Sequence, residues 1–120
     1  MHVTPLSRRL LLVEDDRMVR ETILLMLEDD YEIDLADSAG AALAHLRAAD
    51  VAPVDVMLLD CLLPDGNLAN VLAEADQRSI PVVLISGDPH QGEAMGRARC
   101  FLPKPFTQAT LLKALDTARG

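Results

Sequence analysis

The sequence predicts a single doubly wound α/β domain built on a parallel five-stranded sheet. Three observations predict it. Strand-like and helix-like stretches alternate five times along the 120 residues, which is the length of one domain. Two of the strand-like runs, Leu10–Val13 and Val54–Leu59, are almost wholly apolar, the pattern of strands covered on both faces. Residues suited to capping helices or making turns stand between the elements.

The first strand is expected at Leu10–Val13, ending in Glu14, Asp15 and Asp16. A helix follows from about Arg17 to Glu28. Val19, Ile23 and Leu27 share one face of it, and Asp16 is placed to cap it. Tyr31–Ala36 alternates as a second strand, and Ser38 caps an Ala-rich helix to about Ala49 with Leu43 and Leu46 inward. The third strand ends in Asp60, and Pro64-Asp65-Gly66 makes a turn before a short helix, Leu68–Asp76. Ile80–Ile85 forms the fourth strand, with Pro81 at its start, and Ser86 follows it. Residues 87–97 hold Gly87, Pro89, Gly92 and Gly96, so one or two helical turns at most are expected there. Arg99–Leu102 gives a brief fifth strand, leading to Lys104. Thr107 then caps a last helix with Leu111, Leu112 and Leu115 inward.

Composition narrows the function. A net charge of −8 argues against direct nucleic-acid binding, which needs a basic face. No apolar run approaches the roughly 20 residues of a membrane span, and the start lacks a secretory signal. A cytoplasmic protein with no membrane contact is therefore expected. Cys61 and Cys100 form no zinc pattern with each other or with His2, His45 and His90, so both are expected as reduced, partly buried thiols.

Right-handed crossovers place the C-terminal ends of all parallel strands on one edge, where ligands bind in open sheets. That edge would hold Glu14, Asp15, Asp60, Ser86 and Lys104. Crowded carboxylates repel unless a cation intervenes, and an oxygen-rich site with few carboxylates suits Mg²⁺. Beside such a cation, Asp60 could attack phosphorus, Ser86 could donate to a phosphoryl oxygen and Lys104 could pair with another. Taken singly, each residue has a plainer role: a solvated loop or cap for Glu14 to Asp16, a turn for Asp60 and Ser86, a surface charge for Lys104.

Three motifs carry a family resemblance. Leu10-Leu11-Leu12-Val13-Glu14-Asp15-Asp16 resembles the opening of response-regulator receiver domains. Met57-Leu58-Leu59-Asp60 with Leu63-Pro64-Asp65-Gly66 resembles the phosphoacceptor strand and turn, and Phe101-Leu102-Pro103-Lys104-Pro105-Phe106 the Lys-Pro-Phe signature. The resemblance implies a flavodoxin-like (βα)5 fold of strand order 2-1-3-4-5 over residues 9–120, after an N-terminal extension of residues 1–8. Asp60 would accept a phosphoryl group from a sensor histidine kinase or phosphotransfer protein. Glu14, Asp15, Asp60 and the Leu62 backbone carbonyl would hold Mg²⁺. Lys104 would contact the phosphoryl group, and Ser86 and Phe101 would be the switch pair. Asp16 would cap the first helix rather than bind metal. Such a domain is no enzyme for a separate substrate; it promotes its own phosphorylation and dephosphorylation.

The spacing from Asp60 to Ser86 and from Ser86 to Lys104 is shorter than in most receivers, which shortens the third and fourth helices and resembles a shortened subclass. Many receivers dimerise and signal through the fourth helix, fifth strand and fifth helix, so a phosphorylation-dependent dimer is a further implied partner. Phosphorylation is expected to reorder residues 87–97. Two rival readings stand beside this one. A haloacid-dehalogenase-type phosphatase would carry a second Asp two residues after the nucleophile, where Leu62 stands. A degenerate receiver, acting as a phosphorylation-independent interaction module, would be marked by loss of Asp60 or Lys104, and both are present.

Overall fold

A computed structural model describes residues 8–48, 53–88 and 100–120. Five parallel strands form one sheet in the order β2-β1-β3-β4-β5. They are β1 (Arg9–Val13), β2 (Glu32–Ala36), β3 (Val56–Asp60), β4 (Val82–Ser86) and β5 (Cys100–Pro103). Four helices are described: α1 (Arg17–Leu27), α2 (Ala39–Arg47), α3 (Leu68–Gln77) and α4 (Gln108–Arg119). α3, expected to be short, runs ten residues beside nine in α2. The segment expected to hold a reduced helix between β4 and β5, and to reorder on phosphorylation, lies outside the described residues from position 89 to 99. No described helix is long and apolar enough to cross a membrane.

Alternate side chains of the central strands feed two cores. Leu11, Val13, Met57, Leu59 and Leu84 pack with α2 and α3 on one face. Leu10, Leu12, Leu58, Val83 and Ile85 pack with α1 and α4 on the other. β3 and β4 are buried at all five positions, which explains their continuous apolar runs. Of the residues expected inward, Ile23, Leu27, Leu46, Leu68, Val71, Leu72, Leu111 and Leu115 are buried, joined by Ala39, Ala42 and Ala75. Val19, Leu43 and Leu112, also expected inward, are half-buried and pack against the cores.

The three predicted caps form. Asp16 accepts from the amides of Met18 and Val19, and Ser38 from that of Ala41. Thr107 makes a reciprocal capping box with Thr110. Thr107→Ala should cost about 1 kcal/mol, read as a lower urea midpoint at unchanged slope; an unchanged midpoint would mean the cap is replaced by water at no loss.

Strand boundaries depart from expectation where backbone bonds leave the ladder. Tyr31 stands outside β2 because its amide bonds Leu27 O at the end of α1. Ile80 stands outside β4 because its amide bonds Ala75 O at the end of α3, and Pro81 has no amide to give. Pairing runs further at the other end. Asp60 and Ser86 are the last residues of β3 and β4, and the Cys61 amide still reaches Ile85 O at 2.9 Å. Strand order reverses at β1, so the crevice beyond the ends of β1 and β3 is where such a sheet offers a site.

Candidate functional site

The chain leaves β1 at Glu14, whose amide donates to Ala36 O of β2 at 3.0 Å. This turns the Glu14 side chain into the crevice with no solvent exposure. Its Oε2 accepts from the Asp16 amide at 3.1 Å. Asp15 beside it is exposed. Asp16 faces the α1 amides, as its capping role requires.

Asp60 is 4% exposed, and each of its oxygens has a partner. Oδ1 accepts from the Leu62 amide at 2.9 Å, and Oδ2 accepts from Lys104 Nζ at 3.2 Å. The same ammonium reaches Glu14 Oε1 at 3.4 Å. Lys104 is positioned by its own amide, which donates to Ser86 O at 2.8 Å just past β5. The Leu62 side chain is 67% exposed while its amide faces the acceptor.

The structure thus brings Glu14, Asp15, Asp60 and Lys104 together. Ser86 ends the strand next to Asp60, with Ile85 opposite Asp60 in register. Its hydroxyl accepts from the Asp88 amide at 2.9 Å. Phe101 of β5 pairs with Leu84 of β4 and is half-buried against the core under α2 and α3.

One oxygen each from Glu14, Asp15 and Asp60 can lie within 4.8 Å of one another. This all-oxygen set, with a single ammonium among three acids, fits a hard divalent cation rather than zinc. Without such a cation, burial, a side-chain hydrogen bond with Asp60 and the Asp60 charge raise the Glu14 carboxyl from 4.5 to about 7. Burial opposes the Lys104 charge, but Asp60 and Glu14 outweigh it and hold the ammonium above its usual value. Burial likewise pushes the neighbouring Cys61 thiol up to about 11. Neither Cys61 nor Cys100 forms a disulfide among the described residues, and the first is buried and the second half-buried.

The Glu14 shift has a sign in stability. The folded state holds the proton more tightly than the unfolded chain, so this contribution is complete below pH 4.5 and is lost as pH rises through about 7. Metal-free protein should therefore lose stability across that window, on the order of 3 kcal/mol at about 1.4 per pKa unit. Asp65 and Glu74 are held below their usual values and titrate below the window. Urea denaturation at pH 5 and pH 7.5 checks this; Glu14→Gln should flatten the difference, and a difference it retains in full would contradict the assignment.

One residue near the site was seen in the sequence only as a turn former. Asp65 accepts from the α2 amides of Ala39 at 3.0 Å and Gly40 at 2.9 Å. These two bonds hold its carboxyl below the usual range. The one sequence signal is an acid in the turn before α3, and nothing in it names α2 as the partner.

The family model for the response regulator receiver domain matches residues 10–116. The chain is 36% identical over 108 residues to the response regulator Rre1 of Synechocystis, covering 81% of this chain but 45% of that protein. It is 27% identical over 114 residues to the chemotaxis protein CheY of Listeria monocytogenes, covering 90% of this chain and 96% of CheY. The crystal structure of a sensor histidine kinase receiver domain from Pseudomonas aeruginosa PAO1, with magnesium coordinated in its active-site cleft, superposes with a TM-score of 0.78. That likeness is at 25% identity and covers 95% of this chain and 98% of that one. With the motif residues gathered at one sheet edge and the family model spanning nearly the whole chain, this protein belongs to the response regulator receiver domains of two-component signalling.

Proposed function

We propose that the domain accepts a phosphoryl group on Asp60 from a phosphohistidine of a sensor kinase or phosphotransfer protein, and passes the change to a partner or output domain. The observation that carries this is the Asp60 carboxylate itself, buried at the sheet edge with one oxygen on the Leu62 amide and the other on Lys104. An Asp60 oxygen attacks phosphorus, the phosphorus–nitrogen bond breaks, and the leaving imidazole keeps its electron pair and takes a proton from solvent. Lys104, already between Asp60 and Glu14, meets the oxygens of the arriving group. The Leu62 amide keeps the attacking carboxylate from rotating. Mg²⁺, held by Asp15, Glu14, Asp60 and the Leu62 carbonyl, would neutralise charge on the transferred group; the magnesium in the Pseudomonas relative supports this choice. Ser86, at the adjacent strand end, is the hydroxyl proposed to follow the new phosphoryl oxygen, with Phe101 as its switch partner.

A protein donor fits the rim of the site. Met18 and Leu62 are 78% and 67% exposed beside the acids. An apolar hollow of about 300 Å³ between α1 and the Lys104–Phe106 loop is lined in part by Met18. The domain acts as phosphoacceptor, not as an enzyme with a separate substrate, and works in the cytoplasm.

Incubation with Mg²⁺ and acetyl phosphate tests the proposal by intact mass. The protein should gain one phosphoryl group, in alkali- and hydroxylamine-labile form, and gain none when Mg²⁺ is chelated. Absence of any gain with Mg²⁺ present would overturn it in favour of a phosphorylation-independent module.

A further inference from the structure

We infer that Asp65 is a positioning residue for the acceptor site, bracing the loop between β3 and α3 against the first turn of α2 so that the Leu62 amide stays on Asp60. This inference rests on the proposed phosphoacceptor reading for its purpose, though not for its geometry.

The loop leaves β3 at Asp60 and is held at both ends. At the near end, the Leu62 amide donates to Asp60 Oδ1 at 2.9 Å. At the far end, the Asp65 carboxylate takes the amides of Ala39 and Gly40 at 3.0 and 2.9 Å. Between them Leu63 is 9% exposed and packs in the core that also holds Ala39 and Ala42. The turn is closed by the Gly66 amide on Leu63 O, with Gly66 at φ +67°, a conformation that suits glycine. The carboxylate anchor therefore sits on α2 and Leu63 in the core, so the loop is held on both sides of Leu62.

The placement is electrostatically favourable. The first amides of a helix have no partner within it and carry the positive end of its dipole. Ser38 satisfies the Ala41 amide, and Asp65 takes the next two toward the N-terminus. The carboxylate thus bonds two amides with charge assistance from a different element. The same brace reaches the other side of the pocket. The strand leading into α2 ends at Ala36, whose carbonyl accepts the Glu14 amide at 3.0 Å. One exposed carboxylate thereby ties together the loops that carry Asp60 and flank Glu14.

A residue that merely stabilised α2 would act differently from one that positions Leu62, and Ser38 supplies the comparison. Ser38→Ala removes a cap from the same helix end without touching the loop. Two readouts are needed on the full chain, well below each variant's melting temperature: Mg²⁺ affinity by calorimetry, and the Leu62 amide resonance in a ¹⁵N spectrum. Asp65→Ala should weaken Mg²⁺ binding roughly three- to tenfold and move the Leu62 resonance. Asp65→Asn keeps one acceptor oxygen and should fall between; it also decides the matter if the alanine variant does not fold. Ser38→Ala should lower the melting temperature while leaving both readouts at wild-type values. The inference is overturned if Asp65→Ala and Asp65→Asn leave both readouts unchanged, or if Ser38→Ala shifts them equally. Failure of the wild type to bind Mg²⁺ would instead sink the metal reading, and the Leu62 resonance would still decide the brace.

Discussion

Asp60→Asn should take up no phosphoryl group from acetyl phosphate under conditions in which the wild type is modified. The amide lacks the anionic oxygen that attacks phosphorus, so the phosphorus–oxygen bond to the aspartate cannot form and acetate is not displaced. The substitution is close in shape, and its carbonyl oxygen can still accept the Leu62 amide that Oδ1 accepts at 2.9 Å. The fold should therefore persist, which circular dichroism and the melting transition check. Loss of uptake with the fold intact isolates the nucleophile from the scaffold. Uptake equal to that of the wild type would place the acceptor elsewhere, the neighbouring carboxylates of Glu14 and Asp15 being the first to examine.

Lys104→Met should slow uptake by about 10²- to 10³-fold without abolishing it. Methionine has nearly the length of lysine and can lie along the same path, but it brings no charge. Asp60 Oδ2 and Glu14 Oε1 would lose the ammonium now 3.2 and 3.4 Å away. The transferred group would lose its fixed cation in a crevice where Asp60 is 4% exposed, so water screens little of the loss. Removing the ammonium also removes an influence that lowers the Glu14 carboxyl, so Glu14 should hold its proton to higher pH in this variant. The initial rate of mass gain at fixed acetyl phosphate and saturating Mg²⁺ measures the effect. A rate within threefold of the wild type would mean that Lys104 serves the resting pocket and not the transfer.

Much of this was legible in the sequence because burial on both faces writes itself as unbroken apolar runs. Leu10–Val13, Met57–Leu59 and Val83–Ile85 have no exposure at any position, and the residues at their ends were bound to share an edge. Caps were legible for a similar reason, since Asp16, Ser38 and Thr107 act on amides two or three residues away. What escaped reading depends on partners distant along the chain. Asp65 looks like any turn residue because the amides it bonds are 25 and 26 positions earlier, and backbone amides leave no mark in a sequence. Tyr31 alternated with Ile33 as a strand should, but its amide belongs to α1 and its ring lies under the Arg119 guanidinium, 5.8 Å from the ring centre. The role proposed for residues 87–97 falls mostly outside the described residues and stays an expectation from the motif.

The central place of β1 bears on how the chain reaches this fold. β1 is made first, yet it needs β3 on one side and β2 on the other, with helices over both faces. At a synthesis rate of about 5–20 residues per second, β3 is complete roughly 2 to 10 s after β1 leaves the ribosome. Through that interval Leu10, Leu11, Leu12 and Val13, all without exposure in the finished protein, have no sheet partner on the β3 side. Non-local parallel pairing of this kind is slow to form and prone to aggregate before it does. The acids that follow β1 at positions 14 to 16 place three negative charges beside its most adhesive segment during that wait. Two of these three carboxylates, Glu14 and Asp15, later gather around the acceptor, so the charges that build the pocket are also placed to keep the waiting strand from associating.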